Sequence, residues 1–187
     1  MTDDESVLQS LISACRKNDR KSQEKLYKQF YGFAMGICLR FARSREEASE
    51  IQNDGFLKVM RSLDKYTPGL SFKGWLRRIM TNAAIDHFRR NEKHYDHVDI
   101  SYLRSEPMAG DIYSELSEEA ILKAIQELPP SYRIVFNLYC LEGYKHGEIA
   151  QKLNISEGTS KSNLNAARIK LKKLLSREFD FKVEQNG

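Results

Sequence analysis

Near the C-terminal end of the chain, Thr159, Ser160, Lys161, Asn163 and Asn165 stand ahead of Arg168, Lys170, Lys172, Lys173 and Arg177. The first five carry hydrogen-bonding groups of the type that read base edges in a major groove. The second five are cations suited to phosphate oxygens. A different chemistry is offered by His87, His94 and His97 with Asp86, Asp96 and Asp99, since imidazoles and carboxylates in such proximity can bind a metal. Which of the two the chain uses depends on the elements that hold them.

The polar-then-basic series lies on a helix with a partner. Glu148 to Leu153 reads as a short amphipathic helix, Asn154-Ile155-Ser156 as a tight turn, and Glu157 onward as a longer helix, which is the helix-turn-helix plan. Ala150 is small where two helices would cross, Ile149, Leu153 and Ile155 supply a packed side, and Ser156 can cap the second helix. Leu164, Ala167, Leu171 and Leu174 recur at three and four, so one face is committed to the core and the other is expected to offer Thr159, Ser160, Lys161, Asn163 and Asn165 to solvent. A basic helix alone is commonly just a solvated face. The short helix, the capped turn and the polar-then-basic second helix together point to DNA. The His/Asp group, by contrast, straddles a helix end and a polar stretch and has no regular ligand face.

The rest of the chain also has the helical period, with no alternation long enough for a strand, so the fold class is all-α. Leu8, Leu11, Ile12 and Cys15 mark a first helix. Leu26, Phe30, Phe33, Ala34, Ile37 and Phe41 mark a second, after a turn at Asn18 and Asp19. Ser44 and Glu47 form a capping-box pattern ahead of a third helix, which Tyr66-Thr67-Pro68-Gly69 should end. A fourth runs from near Ser71 through Leu76, Ile79, Met80 and Ala83 to Arg89-Arg90. From about Asn91 to Leu116 periodicity gives way to polar and acidic residues with Pro107 and Gly110. Helical spacing returns at Ser117. Pro129-Pro130 is expected to close that helix and Ser131 to head the next, with Ile134, Val135, Leu138 and Tyr139 on its apolar side. The expected organisation is a helical domain over 1–92, a flexible acidic linker over 93–116 and a helix-turn-helix domain over 117–187.

Composition agrees. At 187 residues the chain can form two small domains, and 41% hydrophobic with 30% charged residues describes neither a membrane protein nor a disordered chain. No apolar run approaches the roughly 20 residues of a membrane span. The acidic start MTDDESVLQS lacks the pattern of a signal peptide, so a cytoplasmic protein is expected. Cys15, Cys38 and Cys140, odd in number and set in apolar periodic segments, read as reduced core thiols. The net charge of +4 decides little by itself.

Two separated sets of residues resemble the extracytoplasmic-function group of bacterial RNA polymerase sigma factors, in the sigma-70 family. In the C-terminal part they are Leu128-Pro129, Arg133, Val135-Phe136, Leu138, Glu142-Gly143-Tyr144, Glu148-Ile149-Ala150, Leu153, Ile155-Ser156, Gly158-Thr159, Lys161-Ser162, Leu164, Ala167-Arg168 and Leu171. In the N-terminal part they are Ala48, Ile51, Phe56, Leu57, Tyr66, Pro68, Phe72, Trp75-Leu76, Ile79, Asn82, Asp86 and Arg89-Arg90.

The resemblance implies an alternative sigma factor that binds core RNA polymerase and directs promoter recognition and initiation. It would touch one promoter element with each domain. Glu47, Glu50, Asn53 and Asp54, on the helix from Glu46 to Met60, would face the polymerase; the family often has a Gln-Glu pair where Asn53-Asp54 stand. Lys73, Trp75, Arg77, Arg78, Asn82, Arg89 and Arg90 would hold the melted minus-ten strand. Housekeeping relatives have adjacent aromatics at that place, but here Leu76 follows Trp75. Thr159, Ser160, Lys161, Asn163, Asn165, Arg168 and Lys172 would meet the minus-thirty-five duplex. Many relatives have an arginine where this chain has Ala166, which implies one phosphate contact fewer. An anti-sigma factor is an implied partner, and the free protein is expected to be a monomer without membrane insertion.

Two other functions remain in view. An autonomous helix-turn-helix repressor would use the second domain but leave the first unexplained. A metal-dependent enzyme would need the His/Asp group, which lacks a nucleophile held by a base. No phosphate-binding glycine loop or dinucleotide fingerprint is present either, so no enzyme activity and no cofactor are expected.

Overall fold

The computed structural model describes residues 3–92 and 117–186, with side chains over 5–92 and 117–176. Among them every regular element is helical. The helices are α1 (Asp3–Arg16), α2 (Arg20–Phe41), α3 (Arg45–Ser62), α4 (Phe72–Asn91), α5 (Glu118–Gln126), α6 (Pro130–Phe136), α7 (His146–Leu153) and α8 (Glu157–Asn186). A 3-10 turn, Leu63–Lys65, follows α3, and a π turn, Asn137–Leu141, continues α6. The expected linker, with His94, His97, Asp96 and Asp99, lies outside the described residues. Among those described, no helix is long and apolar enough to cross a membrane, and no group of three or more His, Cys, Asp or Glu could hold a metal ion. The chain divides into two compact units, Met1–His87 and Phe88–Gly187.

In the first unit, side chains start the helices where the sequence expects them. The Asp19 carboxylate accepts from Ser22 N at 2.9 Å; the Ser22 hydroxyl, and then this N–H, hold the Asp19 carboxyl below its ordinary pKa, and Asn18 turns the chain at φ 60°. The Ser44 hydroxyl accepts from Glu47 N at 3.3 Å, while Glu47 reaches back one residue beyond the cap, to Arg43 N at 2.7 Å. α3 stops earlier than Tyr66: its α turns end at Ser62, and the 3-10 turn intervenes before the extended Tyr66. Gly69 at φ +88° then reverses the chain, a conformation that suits glycine.

Leu26, Ile51, Leu63, Leu76 and Met80 are all fully enclosed. Each such residue stabilises the fold by about 1.5–3 kcal/mol relative to exposure. Polar ties fix the crossings. Buried Gln52 donates to the carbonyl of Tyr31 at 2.8 Å, joining α3 to α2. Arg16, at the end of α1, donates to Leu63 O from Nε (3.2 Å) and Nη2 (2.9 Å), and to Tyr66 O from Nη2 (2.8 Å).

In the second unit Ala124, Ile125, Leu128, Tyr132, Ala167, Leu171 and Leu175 form the cluster where α5, α6 and α8 meet. The two prolines do not close α5, which ends at Gln126. Pro130 opens α6 instead, one residue before Ser131, because the first helical position needs no N–H and suits the proline φ. Arg133, buried on α6, donates from Nη1 to Gln126 O at 2.7 Å and so caps the carboxyl end of α5. At the π turn Glu142 N bonds to Asn137 O, five residues back, at 3.0 Å, and buried Asn137 donates from Nδ2 to Arg133 O at 2.9 Å. The extra residue in the turn rotates the side chains after it. Tyr139, expected on the apolar side, is exposed, as are Cys140 and Leu141. Cys15 and Cys38 are core thiols, but Cys140 is not.

Candidate functional site

The helix-turn-helix is α7, a three-residue turn and α8. Glu148 accepts from Lys145 N at 2.8 Å at the start of α7, and Ile149, Ala150 and Leu153 are buried. Asn154 takes the left-handed conformation at φ 55°, ψ 43° and turns the chain without a glycine. Ser156 caps α8, its hydroxyl accepting from Thr159 N at 2.9 Å. At Gly147 a Cβ would come within 3.0 Å of Glu157 Oε1, so α7 passes close to the start of α8.

α8 divides the expected readers into two sets. Lys161, Asn165 and Arg168 are exposed and Lys172 is half-buried; their spacing of four, three and four puts them along one side. From first to last they span about 16 Å at the rise of 1.5 Å per residue. Thr159 is half-buried, and its hydroxyl is 2.9 Å from that of Ser156 at the cap. Ser160 and Asn163 face inward instead. Ser160 is fully enclosed, with its Oγ 2.9 Å from His146 Nδ1, and Asn163 is also buried. Both precede core residues by one turn, Leu164 and Ala167, and share their side of the helix. Their expected exposure to solvent is therefore corrected. Ala166 is also enclosed, packed in the cluster with α5, so this position does not look outward toward a duplex.

On α4, Lys73, Arg77, Arg78, Arg89 and Arg90 are exposed, while Trp75 and Asn82 are half-buried. They do not share one face. Trp75, Arg78, Asn82 and Arg89 follow the helical repeat along one side, Lys73 and Arg77 share another, and Arg90 lies with neither. Trp75 packs against Tyr66 and Phe72, with ring centroids 5.4 and 5.5 Å away. Its partial exposure leaves it at the edge of an aromatic cluster rather than inside it. Lys73 Nζ lies 5.7 Å over the Phe33 ring.

On α3, Glu50 and Asn53 are exposed and Asp54 is half-buried. Glu47 does not join them. Its side chain is 16% exposed and sits 3.3 Å from Nε2 of His87, which is 10% exposed, so this carboxylate serves the contact of α3 with α4. His87 and Asp86 are both engaged in ways that a metal reading does not need, since Asp86 pairs with Lys58. Leu57, more than half exposed, follows Glu50 and Asn53 at spacings of seven and four. Leu57 is thus an apolar residue on an otherwise polar face; it is among the residues that resemble the family but not among the four expected to face the polymerase.

A helical protein with a capped helix-turn-helix and an outward basic stripe defines a DNA-binding protein of two helical units. The model "Sigma-70 region 2" matches residues 26–94, and "Sigma-70, region 4" matches 118–171. The RNA polymerase sigma factor CarQ of Myxococcus xanthus is 31% identical over 157 residues, covering 81% of this chain and 88% of that protein. The ECF RNA polymerase sigma factor SigW of Bacillus subtilis is 25% identical, over 91% of this chain and 98% of that one. For the ECF RNA polymerase sigma factor SigE of Mycolicibacterium smegmatis the identity is 29% over 83% of this chain, which spans 62% of that longer relative. Among solved structures, the sigma factor RpoE in complex with the anti-sigma factor NepR, from Bartonella quintana, has a TM-score of 0.49 at 20% identity, covering 82% and 96% of the two chains. The chain belongs to the sigma-70 family of RNA polymerase sigma factors, in its extracytoplasmic-function group.

Proposed function

We propose that this alternative sigma factor reads the minus-thirty-five duplex with Lys161 and Asn165 and grips its phosphates with Arg168 and Lys172. The observation that carries this is the single outward line of those four side chains along α8, opposite the buried Ser160 and Asn163. Residues early in such a helix enter the major groove, and later turns rise toward the phosphates. Thr159 stands at the entry to the groove, where its hydroxyl already serves the cap.

The expected domain over 1–92 would bind core polymerase through Glu50, Asn53, Asp54 and Leu57. It would hold the melted minus-ten strand along Trp75, Arg78, Asn82 and Arg89, with Lys73, Arg77 and Arg90 supplying cationic surroundings. Trp75 at the rim of its cluster offers a ring face to an unstacked base, a contact worth about 1–3 kcal/mol. The matched ranges 26–94 and 118–171 support domains over 1–92 and 117–187 joined by a linker over 93–116. The sigma-70 family is not an enzyme class. An anti-sigma factor is the expected inhibitory partner, and the site of action is the cytoplasm, where the polymerase works.

The deciding experiment is run-off transcription from pooled genomic fragments with core polymerase, paired with filter binding with and without core. Selected transcription, and promoter binding that depends on core polymerase, is the expected result. Equally tight binding by the chain alone would favour an autonomous repressor.

A further inference from the structure

Three side chains to which the proposed function gives no DNA contact form a chain of contacts that ends on Arg168. Tyr139 sits on the π turn after α6, 37% exposed. Its ring is stacked on the imidazole of His146, the first residue of α7, with centroids 4.6 Å apart and planes 25° apart. His146 Nδ1 is 2.9 Å from the Oγ of Ser160, which is fully enclosed on α8. Eight residues farther along α8, the Arg168 guanidinium carbon lies 5.8 Å over the Tyr139 ring. The contacts thus run from the core of α8, through α7 and the π turn, and back to the surface of α8.

Each step restricts the next. A buried hydroxyl must keep a hydrogen-bond partner, so Ser160 fixes the His146 ring. A stacked imidazole leaves Tyr139 little rotational freedom, and the π turn is what brings Tyr139 out of the core to meet it. A guanidinium packs against an aromatic ring through its flat face and donates hydrogen bonds from its edge. Lying over the Tyr139 ring, the exposed Arg168 guanidinium keeps N–H groups suited to a phosphate oxygen. An unsupported arginine would have to be ordered at the moment of contact.

We infer that Tyr139 and His146 are positioning residues that hold the Arg168 guanidinium in place on the recognition helix before DNA arrives. This rests on the proposed role of Arg168 toward duplex phosphate. The device itself is a property of the free protein, so its test has two arms.

The first arm is free of DNA. In the full chain, the Arg168 side-chain protons should be shifted upfield by the ring current of Tyr139, with the resonances assigned through Arg168→Lys. Tyr139→Phe should keep the shift, and Tyr139→Leu should abolish it. His146→Ala should reduce it while leaving the helical circular dichroism unchanged. Arg168 resonances at ordinary positions in the parent chain, or unmoved in Tyr139→Leu, would overturn the inference.

The second arm uses holoenzyme on a promoter fragment taken from the run-off pool. Tyr139→Leu should weaken binding about 2- to 5-fold, the size of an exposed cation–π contact. Tyr139→Phe should bind as the parent does. The loss should vanish in an Arg168→Ala background, because the ring acts only through that arginine. An undiminished effect of Tyr139→Leu in that background would overturn the platform. If parental holoenzyme selects no promoter, the proposed function fails, while the resonance shifts still decide the platform.

Discussion

A Cβ on Gly55 of α3 would fall 2.3 Å from the sulfur of Met80 on α4 and 3.0 Å from its terminal methyl. A methyl group fits there only if the enclosed Met80 thioether shifts, on the side of α3 away from Glu50, Asn53 and Leu57. Gly55→Ala gains about 1 kcal/mol in helix propensity but must displace a thioether from a packed core, at a cost of about 1–3 kcal/mol. The expected outcome is a net loss of stability in urea denaturation. Combining the change with Met80→Ala should cost less than the sum of the two single changes. A Gly55→Ala chain as stable as the parent would show that the crossing can relax.

On α8 the outward and inward polar residues should separate cleanly. Lys161→Ala and Asn165→Ala should each cost about 1–3 kcal/mol on the matched minus-thirty-five duplex and little on a scrambled one. Arg168→Ala and Lys172→Ala should weaken both alike and lower the salt slope by nearly one per lost contact. Ser160→Ala and Asn163→Ala should lower the melting temperature instead. Salt titrations of holoenzyme alongside thermal melts of the free chain make the comparison. A Ser160→Ala variant that melted normally yet lost discrimination would place the reading face on the wrong side.

Those inward residues show where the sequence was legible and where it was not. Spacings of three and four located the helices, and the caps at Asp19, Ser44 and Ser156 are side chains whose chemistry announces a helix start. The side of α8 that holds Leu164 and Ala167 extends geometrically through Ser160 and Asn163, yet their polarity argued for solvent. Only the partner, His146 in the case of Ser160, reveals why a polar group is tolerated inside. Tyr139, expected on the apolar side, is exposed because a π turn resets the helical phase and leaves no mark in periodicity. Glu47 was readable as a cap, but its contact with His87 joins residues forty positions apart.

The three cysteines should differ sharply in reactivity. Burial pushes the Cys38 thiol up to about 12, and burial, then the nearby Asp19 carboxylate, raises that of Cys15. A thiol reacts as its thiolate, so neither should be modified in the folded chain near pH 8. Cys140 is exposed on the π turn. Titration with an aromatic disulfide reagent should find one fast thiol in native protein and the other two only after denaturant is added. Fast reaction of a second thiol would mean that the core around α1 or α2 opens readily.

The α3 surface offers a contrast within a few residues. Replacing Glu50 and Asp54 together with lysine should abolish co-purification with core polymerase while leaving helical content intact, and Leu57→Ala should weaken capture. Glu47→Gln should act differently. It removes the charge facing His87 and weakens the bond to Arg43 N, so stability should fall by about 1–3 kcal/mol with capture retained. Undiminished capture by the lysine pair would move the polymerase contact off this face.

The three hydrogen bonds from Arg16 to the carbonyls of Leu63 and Tyr66 connect a helix that lies before the matched range 26–94 to the loop leading into α4. α1 thereby acts as a tether on the loop that leads into α4, the helix bearing the residues that the family resemblance assigns to strand capture. A fragment trimmed to the matched range would retain the aromatic cluster and the cations but lose the donor that fixes the loop's root. Such a loop would sample more conformers in the free protein, and each capture of a strand would then carry an added entropic cost. The segment outside the recognised domain would in this way set how readily the recognised domain works.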